Sequence, residues 1–383
     1  MLNRIALLTD GIFPYVVGGM QRHSFYLAKY FAKNKIEVDL YHTNQSEADI
    51  HKLELFSEEE KRYINSFIVD FPDFGKIPGH YIRESYEYSR RIFELFRKKS
   101  TVDFVYVKGF SGWKLIEEKN KKYKCAPIGV NFHGYEMFQK AASVKSKMEH
   151  LLLLRSPVKF NVNNADYVFS YGGKITEIIR KMGVAENQIL EIPAGIESSW
   201  LLESPSFPNV VRKFLFVGRY ERRKGIEELN AALGSMIDRY NFEFHFIGNI
   251  PPDKRIVSEK VLYHDMVSGT AQLKQLVDQC DVLVCPSYSE GMPNVILESM
   301  SRGLAVIASD VGAVNLLVNE LTGWLLTDCS PANISKAFQS VLSESDDKLF
   351  MRKQEALNHV KKLFLWENLI SDLIGKLNSK IIC

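Results

Sequence analysis

The sequence predicts an α/β protein made of two Rossmann-like domains, each with a parallel sheet, that face a cleft. At 383 residues, the chain is longer than the size at which a single hydrophobic core stops growing. Short apolar segments alternate with helical segments along the chain, which is typical of parallel sheets with right-handed crossovers. This alternation stops once near the middle of the chain and then starts again, so we expect two domains in tandem.

The first half of the chain begins with a predicted strand at residues 4–9 and a helix at 20–33. Further predicted strands cover residues 37–43, 103–108, 127–132, 166–171 and 189–192, and further helices cover 81–99 and 174–182. Residues 197–209 are rich in serine and proline and lack a clear period, which is typical of an interdomain linker. We therefore predict an N-terminal Rossmann-like domain over residues 1–203.

The second half of the chain repeats the pattern. The predicted strands are residues 213–217, 243–247, 261–264, 282–285 and 305–308, and the predicted helices are 225–233, 271–279, 294–300, 331–342 and 347–362. We therefore predict a second Rossmann-like domain over residues 209–363.

The composition is that of a soluble globular protein, with 46% hydrophobic and 25% charged residues. No stretch approaches the roughly 18 consecutive apolar residues of a transmembrane helix, and the amino terminus lacks the apolar region of a signal peptide. The five cysteines are odd in number and scattered, which argues against a disulfide framework; they are residues 125, 280, 285, 329 and 383. We expect a cytoplasmic protein.

Positive charge is concentrated in the first half of the chain, although the net charge is only +3. Lysine and arginine exceed glutamate in residues 76–99, 114–124 and 140–160. This distribution favours contact with an anionic membrane surface or lipid phosphate, or else it reflects solvated helix faces. Nucleic-acid binding is not predicted, because it requires basic residues interleaved with base-stacking aromatics on one exposed face.

The first candidate ligand loop contains Gly18 and Gly19, between the first strand and the first helix. Paired glycines let a ligand approach the backbone, and the following helix offers free N–H donors. The pattern is not Gly-x-Gly-x-x-Gly, so a nicotinamide or flavin dinucleotide is not indicated. A simple turn explains the two glycines equally well.

The second candidate loop follows the strand 213–217 and contains Gly218, Arg219 and Lys224. An arginine fork and a lysine point charge together suit a diphosphate. We interpret the neighbouring residues 222 and 223, both arginines, as surface charges. Gly248 ends the next strand in the same way and leaves room for a base or ribose.

The third candidate loop follows the strand 282–285 and lies between two carboxylates, Glu290 and Glu298. Glu290 precedes a helix and Glu298 lies inside it, so the two can contact different parts of one extended ligand. A carboxylate repels phosphate, so these acids should meet hydroxyl groups instead. A sugar nucleotide fits this requirement.

Together these motifs resemble the retaining glycosyltransferases of family 4, which have the GT-B fold. The resemblance spans almost the whole chain and rests on Gly18-Gly19, Gly218-Arg219 with Lys224-Gly225, Pro286-Ser287, and Glu290-x7-Glu298 followed by Gly303. It implies a hexosyltransferase that uses a UDP- or GDP-sugar and needs no metal or other cofactor. It also implies a saccharide or lipid-linked acceptor, a role in cell-surface polysaccharide, glycolipid or lipopolysaccharide synthesis, and peripheral contact with the inner membrane face.

The resemblance also implies roles for individual residues. Arg219 and Lys224 would bind the donor diphosphate and stabilise its developing charge. Glu298 would hold the ribose, and Glu290 would contact the transferred sugar. The other implied donor contacts are Gly18, Gly19, Gly218, Gly248, Gly291, Met292, Pro293 and Asn294, and His133 would touch the sugar at the reaction centre. By the same resemblance, the first domain would bind the acceptor and the second would bind the nucleotide-sugar donor. A final helix from about residue 364 to 383 would cross back to the first domain.

Two positions depart from the family pattern. Asn315 occupies a place where members often carry glutamate, and His264-Asp265-Met266 replaces a glycine near the base pocket. The donor base, the sugar, the linkage and the oligomeric state therefore stay open at this point. Two alternatives also stay open: a sugar-nucleotide 2-epimerase of related fold, and a non-catalytic sugar-nucleotide-binding partner subunit.

Overall fold

A computed structural model of the chain describes residues 1–43, 49–75, 79–99, 101–267 and 269–381. The chain divides into two compact units. The first contains Met1–Phe138, Met148–Ala194 and the chain from Trp366 onward; the second contains Gln139–Lys147 and Gly195–Leu365. Each unit has one parallel sheet, so the predicted class, α/β with two Rossmann-like domains, is confirmed.

The described residues of the first unit form a sheet of seven parallel strands in the order β3-β2-β1-β4-β5-β6-β7. The strands are β1 (Arg4–Leu8), β2 (Glu37–His42), β3 (Ile64–Ile68), β4 (Phe104–Lys108), β5 (Ile128–Asn131), β6 (Tyr167–Ser170) and β7 (Ile189–Glu191). The α-helices of this part of the chain are Gly19–Lys33, Glu58–Lys61, His80–Lys99, Trp113–Asn120, Val144–Glu149, Arg155–Asn164 and Lys174–Lys181. The central strands are buried throughout, which explains their nearly continuous apolar sequences.

The described residues of the second unit form a sheet of six parallel strands in the order β10-β9-β8-β11-β12-β13. The strands are β8 (Lys213–Val217), β9 (Glu243–Ile247), β10 (Val261–His264), β11 (Val282–Cys285), β12 (Ala305–Ser309) and β13 (Gly323–Leu326). The α-helices are Ile226–Met236, Thr270–Asp278, Asn294–Ser301, Pro331–Ser343 and Asp346–Leu363. Stacked phenylalanines fill the core, with the rings of Phe214 and Phe338 centred 4.2 Å apart.

The strand order places the candidate loops. In the first sheet, β1 lies between β2 and β4, and in the second sheet, β8 lies between β9 and β11. The direction of winding reverses between β1 and β4 and between β8 and β11, and open α/β sheets bind ligands at the carboxyl ends of strands at such reversals. The loops after β8 and β11 are the ones that carry Lys224 and Glu290.

The last helix, Trp366–Ile381, belongs to the first unit. The ring of Trp366 is 1% exposed and stacks against Tyr30, with centroids 5.8 Å apart. Leu373 and Leu377 are buried in the same core. No helix among the described residues is long and apolar enough to cross a membrane.

The boundary between the units differs from the predicted one. The first unit ends at Ala194 rather than at residue 203, because the following segment packs on the second unit. Trp200 is buried there, its carbonyl accepts a hydrogen bond from Arg302 at 3.0 Å, and Lys274 lies over its ring. The second unit also gains residues 139–147.

Candidate active site

The loop after β8 is held against the loop after β11 by close backbone packing. Gly225 has a left-handed φ of 69°, and an added Cβ would overlap the carbonyl oxygen of Pro286, so only glycine fits. The backbone N–H of Tyr288 donates to the carbonyl of Arg223 at 2.8 Å. These contacts place Lys224 beside the loop that carries Glu290.

Glu290 is the centre of a cationic cluster. Its Oε1 accepts hydrogen bonds from Lys224 Nζ at 2.6 Å and from the Ser287 hydroxyl at 2.8 Å. Arg223 Nη1 lies 3.6 Å from its Oε2. Burial of the Glu290 side chain, which is 8% exposed, opposes ionisation, but Lys224 and Arg223 outweigh it and lower the pKa of Glu290. The carboxylate is therefore charged at neutral pH.

The backbone around Glu290 is fixed on both sides. The side-chain amide of Gln139 donates to the Glu290 carbonyl at 2.6 Å, and the backbone N–H of Ala313 donates to the Gly291 carbonyl at 2.7 Å. Gly312 has a left-handed φ of 57°. The backbone at Gly312 approaches the carbonyl oxygens of Glu290 and Gly291 so closely that an added Cβ would overlap both. A loop held in this way keeps its other groups, among them the buried Met292, in fixed positions.

Three residues predicted to contact the donor lie at the start of the helix that follows this loop or inside that helix. Pro293 is the N-cap of the helix Asn294–Ser301, so Asn294 is its first residue. Glu298 lies four residues further, on the next turn, and is 8% exposed. A helix begins at a carboxyl end of the sheet here, and its free N–H groups favour anionic ligands.

Arg219 is not part of the Glu290 cluster in this structure. Its guanidinium pairs with Glu221 at 2.9 Å and its side chain is 74% exposed. The backbone that precedes Arg219 is packed tightly, because the Gly218 N–H donates to the Ile247 carbonyl at 3.0 Å. Gly248, with φ 131°, lies so close that an added Cβ would overlap the Gly218 carbonyl oxygen.

Arg222 and Arg223, which we interpreted as surface charges, are half-exposed and form ion pairs. Arg222 donates to both carboxylate oxygens of Glu228 and lies over the ring of Tyr288 at 5.0 Å. Arg223 contributes charge to the Glu290 cluster. Arg223 also pairs with Glu221 at 3.0 Å. No spacing in the sequence indicated that Arg223 lies near Glu290, because the two residues belong to different segments of the chain.

In the first unit, Gly19 and His133 meet. A Cβ on Gly19 would lie 2.9 Å from His133 Nε2, so a larger residue would displace the imidazole. Gly18, the N-cap of the first helix, has extended backbone angles. His133 Nδ1 lies 2.9 Å from the hydroxyl of Tyr171, which fixes the orientation of the ring. Sequence reasoning missed Tyr171, which follows β6 in the chain.

Behind Tyr171 lies a chain of buried polar groups. The Tyr171 hydroxyl is 3.5 Å from Asn131 Oδ1, and Lys108 Nζ donates to the same oxygen. Lys108 Nζ also lies 3.2 Å from His23 Nδ1. Burial lowers the pKa of Lys108 to about 7, although Asp10 opposes that shift.

Two family models match the chain. Residues 17–200 match the model described as Glycosyltransferase Family 4, and residues 211–344 match the model described as Glycosyl transferases group 1. The chain belongs to glycosyltransferase family 4. The first match includes Gly18, Gly19 and His133, and the second includes Lys224 and Glu290.

The curated relatives of this glycosyltransferase include two bacterial enzymes. The teichuronic acid biosynthesis glycosyltransferase TuaC of Bacillus subtilis, a putative assignment, is 28% identical over 186 residues, which is 46% of each chain. An N-acetylgalactosaminyltransferase of Campylobacter jejuni, whose substrate is N,N'-diacetylbacillosaminyl-diphospho-undecaprenol, is 25% identical over 233 residues, 58% of this chain and 59% of that one. The chain thus spans about half the length of these curated relatives.

The fold of this glycosyltransferase also matches solved structures. The sucrose-phosphate synthase of Thermosynechococcus elongatus superimposes with a TM-score of 0.78 at 19% identity, over 99% of both chains. This likeness confirms the predicted fold class, and the two family models confirm the predicted family and enzyme class. The individual roles of the site residues stay predictions, including that of Asn315, which is exposed after β12.

Proposed function

We propose that this glycosyltransferase moves a hexose-type sugar from a UDP- or GDP-sugar to a saccharide or lipid-linked acceptor. The observation that carries the proposal is the cluster in which Lys224 and Arg223 surround the buried carboxylate of Glu290. A nucleoside-diphosphate sugar needs both kinds of group close together, because its phosphates require cations and its sugar hydroxyls require an acceptor. Lys224 supplies the cation and Glu290 accepts from a hydroxyl.

The proposed reaction breaks the bond between the sugar C1 and the phosphate oxygen and forms a bond from C1 to an acceptor oxygen. The acceptor proton passes to the departing phosphate, and both events take place on one face of the sugar, so the anomeric configuration is retained. Lys224 and Arg219 would stabilise the charge that develops on the leaving phosphate. These cations offset the diphosphate charge, so we propose that no metal is needed.

The proposed acceptor belongs to cell-surface polysaccharide, glycolipid or lipopolysaccharide assembly. Relatives with such names and the excess of positive charge in the first half of the chain support this assignment. A lipid-linked acceptor would require the enzyme to work at the inner face of the cell membrane as a peripheral protein.

A thermal-shift panel of nucleoside diphosphates and nucleotide sugars tests the donor. A ligand that binds only the folded state raises the apparent Tm, so the base and the sugar would be identified together. If no nucleoside diphosphate raised the Tm, the donor site would be refuted. Release of UDP or GDP only when acceptor is present would support transfer, and interconversion of the nucleotide sugar alone would indicate an epimerase.

A substitution tests the role of Lys224. Lys224→Met should lower kcat by about a hundredfold or more, because it removes a charge that acts on the leaving group. Lys254→Ala is the matched control, since Lys254 is an exposed lysine of the same unit, and it should leave kcat unchanged. Activity that survives a chelator in both proteins would support the metal-independent reaction, and equal activity of Lys224→Met and wild type would contradict the proposed role.

A further inference from the structure

One helical segment of the chain presents large apolar side chains to solvent. Val144–Glu149 and the π-helical turn His150–Leu154 contain no buried residue. We call four residues of this segment the apolar turn: Met148, Leu151, Leu152 and Leu153, which are 51%, 51%, 68% and 38% exposed. Contiguous apolar surface of this kind in a soluble protein marks an interaction site.

The apolar turn is not the edge of the core. The helix that continues from it, Arg155–Asn164, does bury residues, among them Val158 and Val162. In the apolar turn, by contrast, three successive leucines are exposed, and three successive helical residues point in directions that cover about half of the circumference. The turn therefore exposes apolar side chains over much of its circumference instead of burying them in the core of the first unit.

The exposed apolar surface continues onto a neighbouring segment of the same unit. Leu153 Cδ2 lies 3.7 Å from the position that a Cβ on Gly79 would occupy. Two aromatic residues near Gly79 in sequence are also exposed: Phe74 at 46% and Tyr81 at 47%. The hydroxyl of Tyr81 is buried, which raises its pKa to about 12, so the exposed part of this side chain is apolar.

The charge around the apolar turn indicates what it contacts. Residues 140–160 contain five lysines and arginines and one glutamate. Lys145, Lys147 and Lys159 are exposed. A protein partner with an apolar surface would not require this excess of cations, whereas an anionic bilayer offers hydrocarbon for the leucines and phosphates for the lysines.

We propose that the apolar turn inserts into the headgroup region of an anionic membrane, with the flanking lysines on lipid phosphates. The inference rests on the proposed function, because it would bring the enzyme to a lipid-linked acceptor. It differs from a purely electrostatic contact, since it assigns a large part of the affinity to leucine side chains.

Co-sedimentation of the full chain with lipid vesicles tests the inference. Wild type should bind vesicles of phosphatidylcholine with phosphatidylglycerol. Leu151→Ser combined with Leu152→Ser should lower the partition coefficient at least about tenfold, because two apolar side chains no longer enter the bilayer. Lys145→Gln combined with Lys147→Gln should lower it about tenfold on anionic vesicles only.

A matched control uses two exposed leucines elsewhere. Leu321→Ser combined with Leu363→Ser changes residues that are 65% and 46% exposed in the second unit, and should leave vesicle binding unchanged. Equal binding of the Leu151/Leu152 variant and wild type, or no binding by wild type, would overturn the inference. Concentration-dependent dimers of wild type that the variant loses would overturn it too, in favour of a second copy of the chain.

The same proteins separate this inference from the proposed function. The thermal shift with a nucleoside diphosphate should be equal in wild type and the Leu151/Leu152 variant, because the substitutions lie in the first unit, outside the donor site proposed in the second. If no nucleotide shifts the Tm but vesicle binding still depends on the two leucines, the donor proposal fails and the membrane contact stands.

Discussion

The pair formed by Lys224 and Glu290 leads to a quantitative prediction about stability. Lys224→Met removes the charge but keeps a side chain of similar length. Glu290 then stays buried at 8% exposure, with the Ser287 hydroxyl as its hydrogen-bond donor and Arg223 at 3.6 Å. A buried charge that loses its main partner is costly, so we expect Lys224→Met to be less stable than wild type.

The size of this loss follows from the geometry. At 2.6 Å and an effective dielectric constant of about 20, the attraction between the two charges is about 6 kcal/mol. Desolvation of both groups offsets most of that gain, and Arg223 still compensates part of the charge in the variant, so we expect a net loss of about 2 kcal/mol. For a domain of this size, the loss corresponds to a fall of about 4–8 °C in Tm.

The loss should depend on pH. In wild type the pKa of Glu290 lies below its ordinary value of 4.5, so the pair stabilises the fold above that pH. This stabilisation is lost as the pH falls through the lowered pKa of the folded protein. In Lys224→Met, burial would instead favour the protonated acid. The difference in unfolding free energy between the two proteins should therefore be full at about pH 7. It should begin to shrink as the pH falls through the raised pKa of Glu290 in the variant, and shrink further below about pH 4.5.

Urea unfolding of wild type, Lys224→Met, and Lys224→Met combined with Glu290→Gln measures the effect. The double variant no longer buries a charge, so it should regain a large part of the lost stability. Equal stability of Lys224→Met and wild type at pH 7, or a difference that is the same at pH 4 and pH 7, would refute this reasoning.

Two further substitutions test packing in the second unit. Gly225→Ala should lower stability by about 2 kcal/mol or more, because it combines a left-handed φ with an overlap, whereas Gly234→Ala in an open helical position should raise it by about 0.5–1 kcal/mol. Opposite signs in thermal unfolding are the expected result, and a stable Gly225→Ala protein would contradict the assigned geometry. Lys353→Met should cost about 3–5 kcal/mol, since it leaves the fully buried carboxylate of Asp281 without its lysine. The exposed Lys348→Ala serves as the control and should change stability by less than about 0.5 kcal/mol, so similar losses in both proteins would argue against a buried pair.

Most of the fold was predictable, because the strands of two parallel sheets are buried and apolar. The elements that were missed lack that pattern. β3 (Ile64–Ile68) is an edge strand with polar residues in its middle, and β13 (Gly323–Leu326) begins with a glycine. The helix Trp113–Asn120 has a weak apolar pattern, and the segment at 144–164 has leucines that face water, so neither shows the amphipathic period of a core helix.

Only those features of the candidate site that depend on positions close together in the sequence were predictable. The spacing of Glu290 and Glu298 and the strand-end position of Lys224 are sequence properties. The hydrogen bond between Lys224 and Glu290 joins residues 66 positions apart, and no local pattern encodes it. Both Arg219 and Arg223 pair with Glu221, and the sequence could not show that Arg223 also lies near Glu290.

The first unit shows most clearly why a buried polar group escapes sequence reasoning. Lys108 ends an otherwise apolar strand, and its side chain is fully buried, although a buried ammonium costs stability that an apolar side chain of the same shape would not. Burial lowers its pKa to about 7, so its charge is held only in part at neutral pH. Its Nζ donates to Asn131, whose oxygen lies 3.5 Å from the hydroxyl of Tyr171, and that hydroxyl lies 2.9 Å from His133. Hydrogen bonding therefore offsets the cost of burying Lys108. The series of polar contacts that begins at Lys108 ends at His133, the residue predicted to touch the sugar.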